Sequence, residues 1–79
     1  MLWEVRVSYK RGVQDSEGES ALKGLRALGF GGIAEVSTAK VYVIRGNCSR
    51  KDVEEVCRRL LASPVSQDYT IRGIEGEDE

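Results

Sequence analysis

The chain has 79 residues, which limits it to one small domain with a thin core. Twelve basic residues against thirteen acidic ones give a net charge of −1, whereas nucleic-acid-binding modules are usually basic. The sequence contains no histidine and therefore lacks the commonest general base and metal ligand. These features exclude a large enzyme with a deep cleft of its own, and we expect so short a chain to self-associate.

The two cysteines indicate a reducing compartment. Cys48 and Cys57 lack both the spacing of a zinc site and that of a redox CxxC motif, and Cys57 lies on an apolar helical stripe, so that we expect it in the core. The sequence has no signal-peptide pattern and no apolar run of about 20 residues. We therefore expect a cytoplasmic protein with reduced thiols, no metal site and no membrane partner.

The first predicted element is a strand over residues 2–10. Apolar and aromatic side chains alternate there with polar ones, and Trp3, Val5, Val7 and Tyr9 fall on one face. Alternation with period two is typical of a half-buried strand. Gly12 follows in a predicted turn, because glycine adopts positive φ at no steric cost.

A helix is predicted next. Either Asp15 or Ser16 can cap its N-terminus, and residues 16–19 fit a capping box. Apolar residues recur at helical spacing at Ala21, Leu22, Leu25 and Leu28. Gly29 follows this stripe and is a natural helix-terminating residue.

Residues 33–46 have the composition of one long strand. Fourteen extended residues would span about 46 Å, although a domain of this length has a radius of gyration of only about 12 Å. The strand must therefore break near Ser37–Ala39 or pair with a second copy. Because the run Val41, Tyr42, Val43 and Ile44 is apolar on both faces, we predict that these four residues form a self-association surface.

A second helix and a last strand complete the chain. Ser49 is the predicted N-cap of this helix, and the apolar stripe of the helix comprises Val53, Val56, Cys57, Leu60 and Leu61. Pro64 ends the helix, and residues 67–74 form the strand. We predict an α+β fold, a two-layer α/β sandwich in the order β-α-β-α-β, with a long bent middle strand and an antiparallel sheet completed by oligomerisation. The single domain spans residues 1–74, and residues 75–79 form an acidic, disordered tail.

No catalytic constellation is present in the sequence. The acidic residues at the start of the first helix suit capping and the helix dipole, and the glycine-rich residues 29–32 follow a helix rather than a strand, unlike a phosphate-binding loop. The pattern favours an interaction or accessory subunit over an enzyme. Two alternatives remain open, a stand-alone small-molecule-sensing domain and an RNA-binding module that uses its strand aromatics.

Four stretches in register resemble the PurS family, the small subunit of phosphoribosylformylglycinamidine (FGAM) synthase. The sequence has G-V-x-D-x-x-G at residues 12–18 and L-x-x-L-G-F at residues 25–30. It also has Val36 followed by A-K-V-Y at residues 39–42, and L-L-A-S-P-V-S-Q-D-Y at residues 60–69. Arg11, Ser16, Ala39 and Ser63 depart from the common family residues. The resemblance covers residues 2–74.

The resemblance implies a role in de novo purine synthesis. The synthase converts formylglycinamide ribonucleotide (FGAR), glutamine and ATP into FGAM; a PurL-like synthetase subunit uses ATP and Mg, and a PurQ-like glutaminase subunit releases ammonia. The small subunit is expected to be a dimer or tetramer without an active site or cofactor, which bridges the two other subunits and assists ammonia transfer. No nucleic-acid partner is expected. The expected partner contacts are Gly12, Val13 and Asp15 in one turn and Pro64, Val65, Asp68 and Tyr69 in another segment.

Overall fold

The computed structural model describes residues 1–74. Its elements are β1 (Leu2–Tyr9), α1 (Ser16–Ala27), β2 (Ala39–Arg45), α2 (Arg50–Val56), a π-helical turn that continues α2 (Cys57–Leu61) and β3 (Gln67–Gly73). The predicted α+β class and element order are confirmed. The predicted disordered tail lies outside the described residues, and the division into domain and tail stays a prediction.

The three strands form one antiparallel sheet in the order β2-β1-β3. Val5 at the centre of β1 lies opposite Tyr42 of β2 and Ile71 of β3, and residues that lie opposite each other share a face. The inner face therefore carries the apolar side chains of β1, as the alternation predicts. The outer face carries the polar residues of β1, and β2 and β3 are the two edge strands.

The core lies between the inner face and α2. Its buried residues are Trp3, Val5, Val7, Val53, Cys57 and Ala62. The predicted Ser49 cap is confirmed, since its hydroxyl accepts a hydrogen bond from the amide of Asp52 and the Asp52 carboxylate accepts one from the Ser49 amide. Burial, assisted by the charge of Glu54, raises the pKa of the Cys57 thiol. Cys57 is thus a core residue, and both cysteines are free.

The predicted apolar stripe of the second helix is confirmed at Val53, Cys57 and Leu61 but wrong at Val56 and Leu60, which are exposed. Leu60 is 79% exposed, whereas Ala62 is buried. The cause is the π-helical turn, in which the Ala62 amide donates to the Cys57 carbonyl at 3.0 Å. A hydrogen bond over five residues widens the turn and rotates Leu60 away from the core.

Helix α1 differs from α2 because it buries only Gly18 and does not lie on the sheet. Its N-cap is Asp15, not Ser16, so the capping box predicted for residues 16–19 is wrong. Its predicted end at Gly29 is confirmed. Gly29 has φ +101°, and the Phe30 amide donates to the Leu25 carbonyl at 3.1 Å, as in a Schellman motif.

The long strand predicted over residues 33–46 is wrong over its first part. The strand begins at Ala39, which agrees with the predicted break near Ser37–Ala39. Residues 33–38 are instead an extended connector that returns along α1. Arg26 Nη2 donates to the Ile33 carbonyl at 3.2 Å near one end, and the Thr38 amide donates to Asp15 Oδ2 at 2.6 Å at the other.

Helix α1 and this connector, residues 15–38, form a unit that we call the arm; the strands and α2 form the body. The radius of gyration is 16.0 Å and the extents are 47 × 29 × 13 Å. A compact chain of this length has a radius of gyration of about 12 Å. The chain is therefore more elongated than its length requires.

Candidate functional site

Asp15 links the two ends of the arm. Its Oδ1 accepts the Gly18 amide at 2.9 Å, and its two carboxylate oxygens each accept the Thr38 hydroxyl at 2.9 Å. The hydrogen bonds from Gly18 and Thr38 hold the pKa of the Asp15 carboxyl below its usual range because they favour the charged form. Asp15 thus has a structural role, and its predicted partner contact stays a prediction.

Gly18 lets the connector approach the helix. A Cβ atom at this position would lie 2.3 Å from the Val36 carbonyl oxygen, so any side chain would push helix and connector apart. The sequence predicted Asp15 as a helix cap but did not predict that Thr38 bonds to Asp15 or that Val36 approaches Gly18. No local signal in the sequence marks these partners, because they are about twenty residues away.

The two segments predicted to contact partners meet at one end of the sheet. The Lys10 amide donates to the Ser66 carbonyl at 2.9 Å, and Lys10 Nζ lies 3.4 Å from Asp68 Oδ1. Gly12 has φ +86°, as the predicted turn requires. Residues 12–15 follow the end of β1 and residues 64–69 include the start of β3, so both segments lie at the same end of the sheet, and we call this surface the turn pair.

The turn pair presents apolar side chains to solvent. Val65 is 84% exposed, and Val13 and Pro64 are also exposed. Asp68 lies on the outer face of the sheet and Tyr69, half-buried, on the inner face. The contact of these side chains with a partner stays a prediction.

The predicted self-association run divides into two pairs. Tyr42 and Ile44 are half-buried against the core, whereas Val43 is 62% exposed and Val41 is exposed on the outer face. Their neighbours on β1 are charged, since Val41 lies opposite Arg6 and Val43 opposite Glu4. The outer face thus has an apolar stripe confined to the edge strand β2. Its part in self-association is untested and stays a prediction.

The β2 half of the inner face is open because α2 packs toward β3. A hollow of about 430 Å³ lies there. Its apolar wall is formed by Val7, Tyr9, Tyr42 and Leu61. Lys40 Nζ stands 5.5 Å from the centre of the Tyr42 ring, in range for a cation–π contact.

A second cleft, of about 680 Å³, lies between the arm and the end of the sheet. Its wall carries both signs of charge, including Arg6, Arg11, Glu19 and Glu35, beside Leu22 and Val41.

Within residues 1–74 no polar or charged residue is buried, and no three acidic or cysteine side chains are grouped as metal ligands. No helix in this part of the chain is long and apolar enough to cross a membrane.

Comparison with known proteins identifies the family. Residues 2–75 match the family model described as "PurS: Phosphoribosylformylglycinamidine (FGAM) synthase". The subunit PurS of this synthase from Archaeoglobus fulgidus is 42% identical over 76 residues, which cover 90% of this chain and 95% of the relative. The crystal structure of Methanocaldococcus jannaschii PurS, one of the subunits of formylglycinamide ribonucleotide amidotransferase, has a TM-score of 0.79 at 36% identity and covers 90% of this chain and 92% of that one.

A chain in the structure of PurLQS from Thermotoga maritima has the same fold. Its TM-score is 0.62 at 22% identity, with 94% of this chain and 99% of that chain covered. At this identity the likeness shows the fold alone. The family match over nearly the whole chain and the 42% identical relative together establish that the chain belongs to the PurS family.

Proposed function

We propose that this chain is the small, non-catalytic subunit of FGAM synthase and that it bridges the synthetase and glutaminase subunits. The observation that carries the proposal is the family match over residues 2–75. The bridging role is supported by the number of separate exposed surfaces on so small a chain, namely the turn pair, the β2 stripe and the open inner face.

We propose that the catalytic steps take place on the synthetase and glutaminase subunits. The synthase makes FGAM from FGAR, glutamine and ATP, and we propose that ATP and Mg bind the PurL-like subunit while the PurQ-like subunit supplies ammonia. The absence of histidine from the sequence and of buried polar residues from residues 1–74 supports a subunit without an active site. The cytoplasmic location and the help with ammonia transfer are parts of the same proposal.

We further propose that the chain is a homo-oligomer. Val41 and Val43 form an exposed apolar stripe on an edge strand, and such strands are templates for pairing with another chain. The turn pair is at the end of the sheet rather than along this edge, and it therefore stays accessible to a different partner. This separation supports a subunit that binds its own copies through one surface and another subunit through the other.

Co-elution tests the bridging role. The chain is mixed with purified PurL-like and PurQ-like subunits of the same organism, with glutamine and ATP–Mg present, and the mixture is separated by size-exclusion chromatography. We expect one peak that contains all three chains and loses the glutaminase when this chain is left out. Co-elution of the other two subunits to the same extent without it would contradict the bridging role.

The turn pair is tested in the same experiment by the substitution Val65→Asp. Because Val65 is 84% exposed, the variant should fold and self-associate as the parent does but lose one of its two partners from the peak. Leu60→Asp is the matched control, since Leu60 is 79% exposed but lies on the π-helical turn. Loss of a partner from the control alone would move the docking site to that turn.

A further inference from the structure

We infer that Gln67 is a positioning residue, which holds the loop of residues 63–67 in the shape in which its tip, Pro64 and Val65, docks on a partner subunit. The inference rests on the proposed docking of the turn pair and adds the residue that prepares this surface. Gln67 acts through the loop and does not itself contact the partner.

Two hydrogen bonds close the neck of this loop, and both join Ser63 to Gln67. The Gln67 amide donates to the Ser63 carbonyl at 2.8 Å, which makes the loop an α-turn. The Ser63 amide donates in the other direction to Gln67 Oε1, also at 2.8 Å. Any residue at position 67 other than proline can form the first bond, whereas the second requires a side chain with an acceptor oxygen at this reach.

Both ends of the loop are anchored on the body. Ala62, which precedes the loop, is 7% exposed. At the other end Gln67 begins β3 opposite Tyr9, and the Ser66 carbonyl accepts the Lys10 amide at 2.9 Å. The two bonds of the neck therefore tie the tip to a fixed base.

The tip itself is apolar and open to solvent. Val65 is 84% exposed and Pro64 is exposed. An apolar tip contributes to binding when a partner removes it from water, but ordering a loose loop at that moment costs conformational entropy. A loop that already has its bound shape avoids this cost. The bond from Ser63 to Gln67 should therefore raise the fraction of chains that can dock.

Two substitutions at position 67 separate the hydrogen bond from the bulk of the side chain. Methionine has about the length of glutamine but only a weak sulfur acceptor, so Gln67→Met should lose the bond to Ser63 and still fill the space beside the hollow. Glutamate keeps an oxygen at this position, so Gln67→Glu should keep the bond. Thr70→Met, on the exposed outer face of β3, is the control.

Binding is measured by biolayer interferometry against the subunit that Val65→Asp loses from the co-elution peak. We expect Gln67→Met to raise the dissociation constant by about 3–10-fold, as the loss of one hydrogen bond does. The loss should lie in the association rate, because fewer chains have the docking shape. Gln67→Glu and Thr70→Met should bind as the parent chain does.

Hydrogen exchange on the free chain tests the neck of the loop without any partner. The Ser63 amide should lose protection in Gln67→Met and keep it in Gln67→Glu. Circular dichroism establishes that each variant is folded, and the midpoint of urea denaturation should stay near that of the parent, because this exposed bond is replaced by bonds to water. If Gln67→Met is not folded, Gln67→Ala takes its place, because it also removes the acceptor.

Four results would overturn the inference: parental affinity of Gln67→Met, an equal loss of affinity in Gln67→Glu, unchanged exchange of the Ser63 amide, or a loss that lies in the dissociation rate alone. The last result would mean that Gln67 contacts the partner directly. A parent chain that binds neither subunit, or that keeps both after Val65→Asp, would contradict the proposed docking and this inference together. A parent chain that binds as expected beside an equally tight Gln67→Met would contradict this inference alone.

Discussion

The body and the arm of this chain are built in different ways. The body buries all six core residues, from Trp3 in β1 to Ala62 after the π-helical turn. The arm buries none of its apolar side chains and only the backbone of Gly18. Its shape is set instead by an N-cap, a Schellman motif and the hydrogen bonds of Asp15.

One part of the chain is therefore stabilised by a buried core and the other by local hydrogen bonds. Elements with few buried apolar contacts open at low free energy. The arm should therefore be the least stable part of the single chain and gain most from assembly.

The free energy of unfolding should differ most between the body and the arm when a charged residue is introduced into each. Val53→Asp puts an unpaired carboxylate where the parent side chain is 1% exposed, which costs more than about 4 kcal/mol, and should leave the chain unfolded by circular dichroism. Leu28→Asp, in the arm, should change the free energy of unfolding of the monomer by less than about 0.5 kcal/mol. Equal destabilisation by the two changes would mean that the arm belongs to the core.

The two faces of β2 differ in how well a substitution on them can test self-association. Val43→Asp should leave the monomer folded, because Val43 points to solvent, and should weaken dimerisation by at least about tenfold if the outer stripe is part of the interface. Sedimentation equilibrium measures the constant, and Leu60→Asp is the control. Tyr42→Asp is a poorer probe, since Tyr42 also packs on the core. Unchanged dimerisation of Val43→Asp would limit the interface to the inner face.

Two glycines of α1 form a matched pair. Gly18→Ala should destabilise the chain by about 1–3 kcal/mol, as overpacking does, because its Cβ would meet the Val36 carbonyl. Gly24→Ala has no neighbour within 4 Å and should stabilise the helix by about 0.5–1 kcal/mol. Urea denaturation of both variants measures the difference, and the same sign for both would contradict the described contact.

Acid should loosen the arm before the body. The pKa of Asp15 is lowered in the folded chain, so its hydrogen bonds stabilise the arm above the unfolded pKa of about 3.9. This stabilisation is lost as the pH falls through the lowered folded pKa. Hydrogen exchange should show α1 amides losing protection in acid ahead of β1 amides. In Asp15→Asn, which keeps a capping side chain, this dependence on pH should disappear.

Local rules predicted the elements whose causes are local. The alternation of β1, the Ser49 cap and the glycine end of α1 each depend on residues within a few positions, and the structure confirms all three. The sequence also offered Asp15 as one of two N-caps of the first helix, and the structure confirms Asp15. Each of these predictions depends on a residue type that has a single physical role at its position.

The errors arise from contacts between distant residues. Residues 33–38 have strand composition, but Thr38 bonds to Asp15, and no strand in residues 1–74 lies beside them. Leu60 follows the α-helical period, but the π-helical turn changes the phase. The meeting of the two turns at Lys10 and Ser66 could not be read from spacing, because it depends on the pairing of β1 with β3.

Synthase activity with two nitrogen sources tests whether the chain joins the other subunits without taking part in the chemistry. A PurL-like and a PurQ-like subunit are assayed for FGAM formation with glutamine or with free ammonia, with and without this chain. We predict that glutamine-dependent activity requires the chain, whereas ammonia-dependent activity does not, because the chain joins subunits and carries no chemistry. Full glutamine-dependent activity without the chain would contradict the account.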